Sequence, residues 1–342
     1  MSFEVCYVER HPGKFVSLEK AFREIASGLG PEYSSEFVQL PFSSRVYDSL
    51  RNLIFFKRPS ADLYHITGQI NYIGLRLPAD RTVLSIMDVR FVNMNRGLKR
   101  AILKKLYLDL PVRHAKYVTA ISENVKREIV ELTGCPERKI RVLDLPLLSH
   151  IRPDKTRAFN ADCPNILQVG TMENKNILRL AEALKRIKCK LVVVGELSTT
   201  QSDALTKNNI QYSNPIGVSD QEMAQLYQEA DIVSFCSTYE GFGLPIIEAQ
   251  VMGKPVITSH LSPMKETAGD GACLVDPFDA ESMRDGFETL MNDPEYRESV
   301  IRQGIENCQR FSPEKVAAQY AGLYREILAS ERTIESPSAG NA

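Results

Sequence analysis

Short apolar runs alternate with amphipathic segments along almost the whole chain, and that alternation leaves few folds open. Strands separated by helical segments cannot close as tight hairpins, so they pair in parallel and are covered by helices. In the first half, strands are expected at Phe3–Val8, Phe37–Leu40, Leu63–Thr67, Thr82–Ile86, Tyr117–Ile121 and Ile140–Leu143. In the second half they are expected at Asn165–Val169, Lys190–Val194, Ile210–Tyr212, Ile232–Phe235, Pro255–Thr258 and Ala272–Val275. Between them, the spacing of Leu18, Phe22, Ile25 and Ala26 predicts a helix over Ser17–Leu29, and Ser122 suits the N-cap of another. Further helices are expected near Lys175–Ile187, Asp220–Glu229, Pro245–Met252 and Ala280–Met291.

A chain of 342 residues is long enough for two such domains, each with its own core. The fold class is therefore α/β, two Rossmann-like, doubly wound domains facing across a cleft, with ligands at the carboxyl ends of their strands. Leu147–Pro164 is polar, aperiodic and holds two prolines, so it reads as a linker. The expected divisions are a first domain over 1–150, a linker over 151–164, a second domain over 165–312, a final helix over 313–330 able to pack back on the first domain, and a disordered tail over 331–342. Charge divides unevenly: residues 1–150 carry 23 Lys/Arg against 16 Asp/Glu, a net of +7, while the rest carries 19 against 27, a net of −8. That asymmetry points to a surface partner for the first half. Seven scattered cysteines without metal-ligand spacing fit small core residues in a reducing cytoplasm, and no zinc site is expected. The opening Met1–Val8 reads as a strand, not a signal peptide, and no apolar run approaches the ~20 residues of a membrane span.

The stretch Glu240-Gly-Phe-Gly-Leu-Pro-Ile-Ile-Glu248 carries the chemistry. It compresses a strand end, a glycine loop and a helix start between two apolar runs. Gly241 and Gly243 let a ligand approach the backbone, and Pro245 suits a first helical turn. The N–H groups and dipole of a helix start favour an anion such as a diphosphate. Glu240 and Glu248 flank that anion site; carboxylates are poor phosphate ligands but good acceptors of hydroxyl protons. The combination points to a ligand with both phosphates and hydroxyls, a nucleotide sugar.

Written as EGFGLPIIEA, this E-x7-E pattern resembles the signature of family 4 retaining glycosyltransferases of the GT-B fold. Ile166–Thr171 with Asn174-Lys175-Asn176, Asp220–Asp231, Gly253–Ile257, Met264–Glu266 and Leu274–Pro277 are similar to that family's other segments, in order. Ser17-Leu-Glu19, His65-Ile-Thr-Gly68 and Ala120-Ile-Ser122 resemble its bacterial polysaccharide branch. The resemblance implies a nucleoside-diphosphate-sugar donor held by the second domain and a saccharide or lipid-linked acceptor on the first. It implies that Glu248 meets the ribose hydroxyls and Glu240 the transferred sugar. Backbone at Gly241, Phe242, Gly243 and Leu244 would meet sugar and diphosphate, together with Gly170 and Thr171. Lys175 matches the phosphate-binding lysine, and Ile216, Gly217 and Val218 would lie near the base. The catalytic set on this reading is Glu240, Lys175, His65 and Asp88, with no metal and no cofactor.

The chain departs from the family at Thr171, where an arginine is frequent, and at Met87 and Asn71, where histidines stand. Two other readings stay open: a nucleotide-sugar epimerase or hydrolase on a two-domain fold, and, motivated by those departures, a non-catalytic nucleotide-sugar-binding subunit. The basic stretch from Arg96 to Leu108 is expected to turn Leu98, Ile102, Leu106 and either Leu103 or Leu110 inward and Lys99, Arg100, Lys104 and Lys105 outward. Residues 96–116 thereby suit contact with an anionic membrane, which would place the protein at the cytoplasmic face. No recognised module or aromatic interleaving accompanies the charge, so nucleic acid is not an expected partner.

Overall fold

The computed structural model describes residues 2–11, 17–43, 46–153 and 158–335. The chain divides into two units: one runs to Pro146 and resumes at Pro313, and the other is Leu147–Ser312. In the first, six parallel strands, β1 (Phe3–Glu9), β2 (Tyr33–Gln39), β3 (Leu63–Ile66), β4 (Thr82–Ile86), β5 (Tyr117–Ala120) and β6 (Ile140–Val142), stand in the order β2-β1-β3-β4-β5-β6. Its helices are α1 (Ser17–Ser27), α2 (Val46–Phe55), α3 (Arg90–Asn93), α4 (Gly97–Lys104), α5 (Leu110–His114) and α6 (Glu123–Thr133). Ser122 caps α6 by accepting from the Val125 N–H at 3.2 Å, and Gly134 ends it at φ +67°.

The second unit repeats the plan. Strands β7 (Asn165–Val169), β8 (Lys190–Val194), β9 (Gln211–Ser213), β10 (Ile232–Phe235), β11 (Val256–Ser259) and β12 (Cys273–Val275) stand in the order β12-β11-β10-β7-β8-β9, all parallel. Its helices are α7 (Ile177–Leu184), α8 (Thr199–Lys207), α9 (Asp220–Glu229), α10 (Leu244–Val251), α11 (Met264–Ala268), α12 (Ala280–Asn292) and α13 (Pro294–Cys308). Capping boxes at Ser198/Gln201 and Ser219/Glu222 start α8 and α9. Two parallel α/β sheets of this kind are the α/β, two-domain GT-B architecture.

Helix α14 (Pro313–Glu335) groups with the first unit and packs on α1, where a Cβ added to Gly28 would sit 2.8 Å from the Ala317 Cβ. It runs past the expected end at 330, so the expected tail begins as helix; residues 336–342 lie outside the described residues. Within the segment read as a linker, Leu147, Leu148 and Ile151 are buried, and 154–157 lie outside the described residues. The basic stretch keeps the expected inward Leu103 but departs from expectation at two other positions. Leu98 and Ile102 face solvent, whereas Leu103, Tyr107 and Leu108 are buried. Within α4 the inward residue is Leu103, and a π-helical turn over Lys105–Asp109 continues the helix with Tyr107 and Leu108 inside.

Helix α14 also completes an aromatic core. Tyr320 and Tyr324 close on Tyr7, Phe22 and His65, all fully buried, with ring centroids 5.0 to 6.4 Å apart. His65 Nδ1 is hydrogen-bonded to the Tyr324 hydroxyl and Nε2 to the Ser85 hydroxyl, each at 2.6 Å. Burial pushes the His65 pKa down to about 3. The folded chain therefore keeps a neutral imidazole at pH values where the unfolded one, titrating near ~6.5, binds a proton. His65 should cost the fold up to roughly 1.4 kcal/mol per pH unit as pH falls from about 6.5 toward 3. In urea unfolding between pH 7 and 4, His65→Gln should show a flatter stability profile than the wild type. Native His65 NMR resonances should stay flat over the same range; a midpoint near 6 contradicts this account.

Candidate functional site

The strand order of the second unit contains one reversal. From β7 the chain moves outward through β8 to β9, then returns so that β10 pairs with the opposite edge of β7 and leads on to β11 and β12. The segments leaving β7 and β10 therefore diverge to opposite faces and open a crevice between them, where ligands of open α/β sheets bind. Those segments are Gly170–Asn176 and Cys236–Gly243, and they bring the two strongest candidates together.

Lys175 ends a 3-10 turn over Glu173–Lys175, just before α7, not in the helix itself as the sequence suggests. Its Nζ is 2.7 Å from Glu240 Oε1 and 4.3 Å from the centroid of the Phe235 ring on β10. Both side chains are largely covered, 15% and 16% exposed. Gly170, at φ +89°, makes room for the lysine stem: a Cβ there would be 2.9 Å from Lys175 Cε. Asn174 Nδ2 donates both to Glu240 Oε1 at 3.0 Å and to the Tyr239 carbonyl at 2.8 Å, and the Thr238 N–H donates back to the Asn174 carbonyl. Asn176, in a left-handed conformation at φ +62°, donates to the carbonyls of Cys236 and Pro277. The β7 loop is thus stitched to the loops after β10 and β12 by amide side chains.

Gly243 precedes α10 at φ +119°, conformational space that L side chains rarely enter, and Pro245 falls in the first turn. The Phe242 ring meets Phe311 edge-on at 5.5 Å, and its carbonyl accepts from the Thr267 hydroxyl. Pro245 has no N–H and the Ile246 N–H donates to the Gly243 carbonyl at 2.9 Å, so the Leu244 N–H and the positive end of the helix are what suit an anion here. Glu248, in the second turn, is buried, and its Oε2 accepts a 2.6 Å hydrogen bond from Tyr227 on α9. Burial pushes the Glu248 carboxyl pKa up, while the Tyr227 hydrogen bond and the Lys175 charge pull it down. Tyr227 is itself driven well above its ordinary range by burial and by the carboxylate it faces.

Gly170, Thr171, Lys175, Glu240, Gly241, Phe242, Gly243, Leu244 and Glu248 all occupy the ends of β7 and β10 or the helix that follows β10. Ile216, Gly217 and Val218 lie between β9 and α9, with Ile216 exposed and the preceding Pro215 carbonyl accepting from Gly195 at the end of β8. Asn174, Asn176 and Tyr227 are positioning groups to which the sequence reading gave no role. Tyr227 was hidden because its partner lies on another helix, 21 residues away. A cavity of about 880 Å³ lies around the start of α7, with Glu173, Arg179, Glu196, Gln201 and Phe278 in its wall. Of the expected donor residues it includes Thr171 alone. The strand crossover and the charge pairing, not cavity size, single out the neighbouring crevice.

His65 and Asp88 belong to the other unit. The catalytic expectation for His65 is corrected here: it is fully buried with both ring nitrogens taken, so it has no face to offer a substrate. Asp88 follows β4, accepting from the Arg90 N–H and from Gln69 Nε2, each at 2.9 Å, and so clamps the loops after β3 and β4 together. Asn71 is buried and donates to the Tyr107 carbonyl, and Met87 is buried beside Asp88, so both positions of the missing histidines are interior. Among the described residues, no group of His, Cys, Asp and Glu is assembled as a metal site would require.

Residues 153–307, within the unit that carries this site, match the family described as Glycosyl transferases group 1. Together with the relatives that follow, this supports placing the chain among the family 4 glycosyltransferases of GT-B fold. The O-antigen chain mannosyltransferase B of Escherichia coli is 28% identical over 238 residues, 62% of this chain and 61% of that protein. The capsular polysaccharide biosynthesis glycosyltransferase CapM of Staphylococcus aureus is 27% identical over 234 residues, 62% of either chain. The chain thus spans less than two thirds of the length of these relatives. Among solved structures, sucrose-phosphate synthase of Thermosynechococcus elongatus superposes with a TM-score of 0.76 at 18% identity, over 96% of this chain and 100% of that one. Anabaena HepE, solved in complex with UDP and glucose, superposes with a TM-score of 0.73 at 15% identity, over 94% and 99%. At such identities the agreement concerns the fold.

Removing either influence that holds the Glu248 pKa down should raise it further. In site-resolved NMR titrations, both Tyr227→Phe and Lys175→Met should move the Glu248 carboxyl midpoint upward. A midpoint that stays put or falls contradicts the described electrostatics.

Proposed function

We propose that the protein is a retaining glycosyltransferase. It moves a sugar from a UDP- or GDP-sugar to an acceptor hydroxyl, on a saccharide or lipid-linked saccharide of a bacterial surface polysaccharide. The observation that carries this reading is the meeting of Lys175, Glu240 and the start of α10 at the strand crossover, with Glu248 buried one helical turn further on. Anabaena HepE, solved in complex with UDP-glucose, and the O-antigen and capsular relatives support the donor and product classes.

The chemistry then follows from charge. Without donor, Lys175 is matched by Glu240. A diphosphate brings negative charge to the ammonium and to the positive start of α10, which releases Glu240 to accept hydrogen bonds from sugar hydroxyls. Glu248 takes the ribose hydroxyls, its Oε2 fixed by Tyr227 and its Oε1 left to the ligand. As the anomeric C–O bond breaks, charge develops on the departing diphosphate, where Lys175 and the helix start are already oriented. Preorganised donors of this kind are commonly the largest catalytic contribution. The acceptor hydroxyl forms the new bond on the face the diphosphate leaves, and its proton passes to the leaving phosphate, so retention requires no protein nucleophile. This reading requires no metal, because the positive charge comes from protein groups. Asp88 stands at the carboxyl edge of the first unit's sheet as a group for the acceptor side. Residues 96–116 would meet the cytoplasmic face of the membrane where a lipid-linked acceptor resides.

Glu248→Ala should weaken UDP- or GDP-sugar binding in isothermal titration. Lys175→Ala should lower kcat on the order of 10²–10³-fold with a smaller change in KM. Binding and turnover unaltered in both variants contradict the site, whereas intact binding without any turnover in the wild type favours a non-catalytic sugar-nucleotide-binding subunit.

A further inference from the structure

Helix α2 carries its polar residues inside and its apolar residues outside. Asp48, Ser49 and Asn52 are buried. Asn52 brackets Phe42, its Oδ1 accepting from the Phe42 N–H at 3.0 Å while its Nδ2 donates to the Phe42 carbonyl at 3.1 Å and to the Tyr72 hydroxyl at 2.9 Å. The Ser49 hydroxyl meets that of Tyr107, and Asp48 accepts from Ser43 and Arg51. The inward face is therefore a satisfied polar network. On the outward face, Tyr47, Leu50, Ile54 and Phe55 are 59–68% exposed. Positions 47, 50 and 54 fall within one stripe of a helix, the arrangement that a helix on a water-facing surface reverses. Exposed apolar groups gathered like this mark an interaction site.

A second stripe lies on the neighbouring element. Met94, Leu98 and Ile102, spaced by four, are 49–76% exposed along α4 and its approach. Tyr107, which touches Ser49 of α2, belongs to the π turn that continues α4, so the two stripes ride on elements bound to each other. The charge around them has one sign. Arg51, Lys57 and Arg58 flank the first stripe, and Arg96, Lys99 and Arg100 flank the second, all exposed. Residues 46–58 and 90–109 hold just two carboxylates, Asp48 paired with Arg51 at 3.1 Å and Asp109 paired with Lys104 at 2.7 Å, so Lys57, Arg58, Arg96, Lys99 and Arg100 outnumber the carboxylates of these segments.

We propose that the first unit docks on an anionic lipid bilayer through α2, whose Tyr47, Leu50, Ile54 and Phe55 enter the headgroup–acyl boundary while the cations of α4 engage lipid phosphates. Apolar side chains ringed by unbalanced cations match a surface that is apolar beneath and anionic above. A protein groove would require the apolar match alone. The inference rests on the membrane contact in the function proposed above and deepens it, making α2, outside residues 96–116, the inserting element.

The test is co-sedimentation of the full chain with phosphatidylcholine vesicles and with vesicles containing a third phosphatidylglycerol, alongside nucleotide-sugar titration in solution. Partitioning should be at least tenfold stronger on the anionic vesicles and should fall as salt rises. It should drop about tenfold in Leu50→Asn/Ile54→Asn and, separately, in Lys99→Glu/Arg100→Glu, with circular dichroism and donor binding unchanged in both. Equal binding to neutral and anionic vesicles, binding undiminished in the α2 variant, or no vesicle binding at all overturns the proposal; the last outcome points to a protein partner. Vesicle binding as expected with no donor binding refutes the transferase reading and leaves the dock standing.

Discussion

An ammonium and a carboxylate held 2.7 Å apart at the crossover of a parallel sheet set the terms for the rest of the second unit. Lys175 and Glu240 come from loops 65 residues apart in sequence, and they meet because β7 and β10 are hydrogen-bonded neighbours. Each is too well covered to be left unpaired cheaply, since a lone charge away from water costs several kcal/mol. The surrounding amides make the pairing geometric as well as electrostatic. Asn174 grips Glu240 from the same loop as Lys175, and Asn176 holds that loop to the segments after β10 and β12. The glycines at 170 and 243 then become requirements: the first lets the lysine stem lie flat, and the second lets the chain turn into α10.

Glu240 and Glu248 share a sequence motif but not an environment. Glu240 faces a cation and is partly exposed, whereas Glu248 is buried against a tyrosine hydroxyl. Burial disfavours the charged form of Glu248, and Tyr227 and Lys175 favour it. A carboxylate so balanced gains from any ligand that brings hydroxyl donors and loses from one that brings more negative charge. That asymmetry matches a ribose at Glu248 and keeps phosphates on the Lys175 side. Tyr227 therefore matters as much to the proposed donor site as the motif residues themselves, although it lies outside the motif.

Much of the scaffold was legible. Thr82–Ile86, Asn165–Val169, Lys190–Val194 and Ile232–Phe235 are strands over the expected bounds, because buried parallel strands are continuous apolar runs with sharp polar ends. The helix over Asp220–Glu229 also keeps its expected bounds, and a capping box at Ser219 and Glu222 starts it. In the site, the loop-then-helix form around Glu240 and Glu248 could be read from glycine and proline positions. Its supports could not, since Asn174 and Tyr227 act across sequence gaps of 66 and 21 residues. His65 shows the converse limit. A histidine at a strand end reads as reactive, but the rings of Tyr320 and Tyr324, supplied by a helix some 250 residues later, turn it into core.

Helix α2 and the stretch around α4 show why periodicity left the first unit's surface undetermined. An amphipathic pattern states that a helix has two unlike faces; it does not state which one meets the core. In α2 the small polar set of Asp48, Ser49 and Asn52 finds partners in Tyr72, Tyr107 and the Phe42 backbone, so burying it leaves no unmet hydrogen bond of the kind that costs about 1–3 kcal/mol. With that cost removed, nothing local forces Leu50 and Ile54 inward, and they stay in water only at a loss of apolar burial worth roughly 1.5–3 kcal/mol each. A chain that retains such an arrangement on two touching elements, among cations it does not neutralise, has its largest unrealised burial on this face. The charge surplus of the second half is acidic, so the basic surplus of the sequence and the apolar exposure of α2 and α4 converge on the first unit.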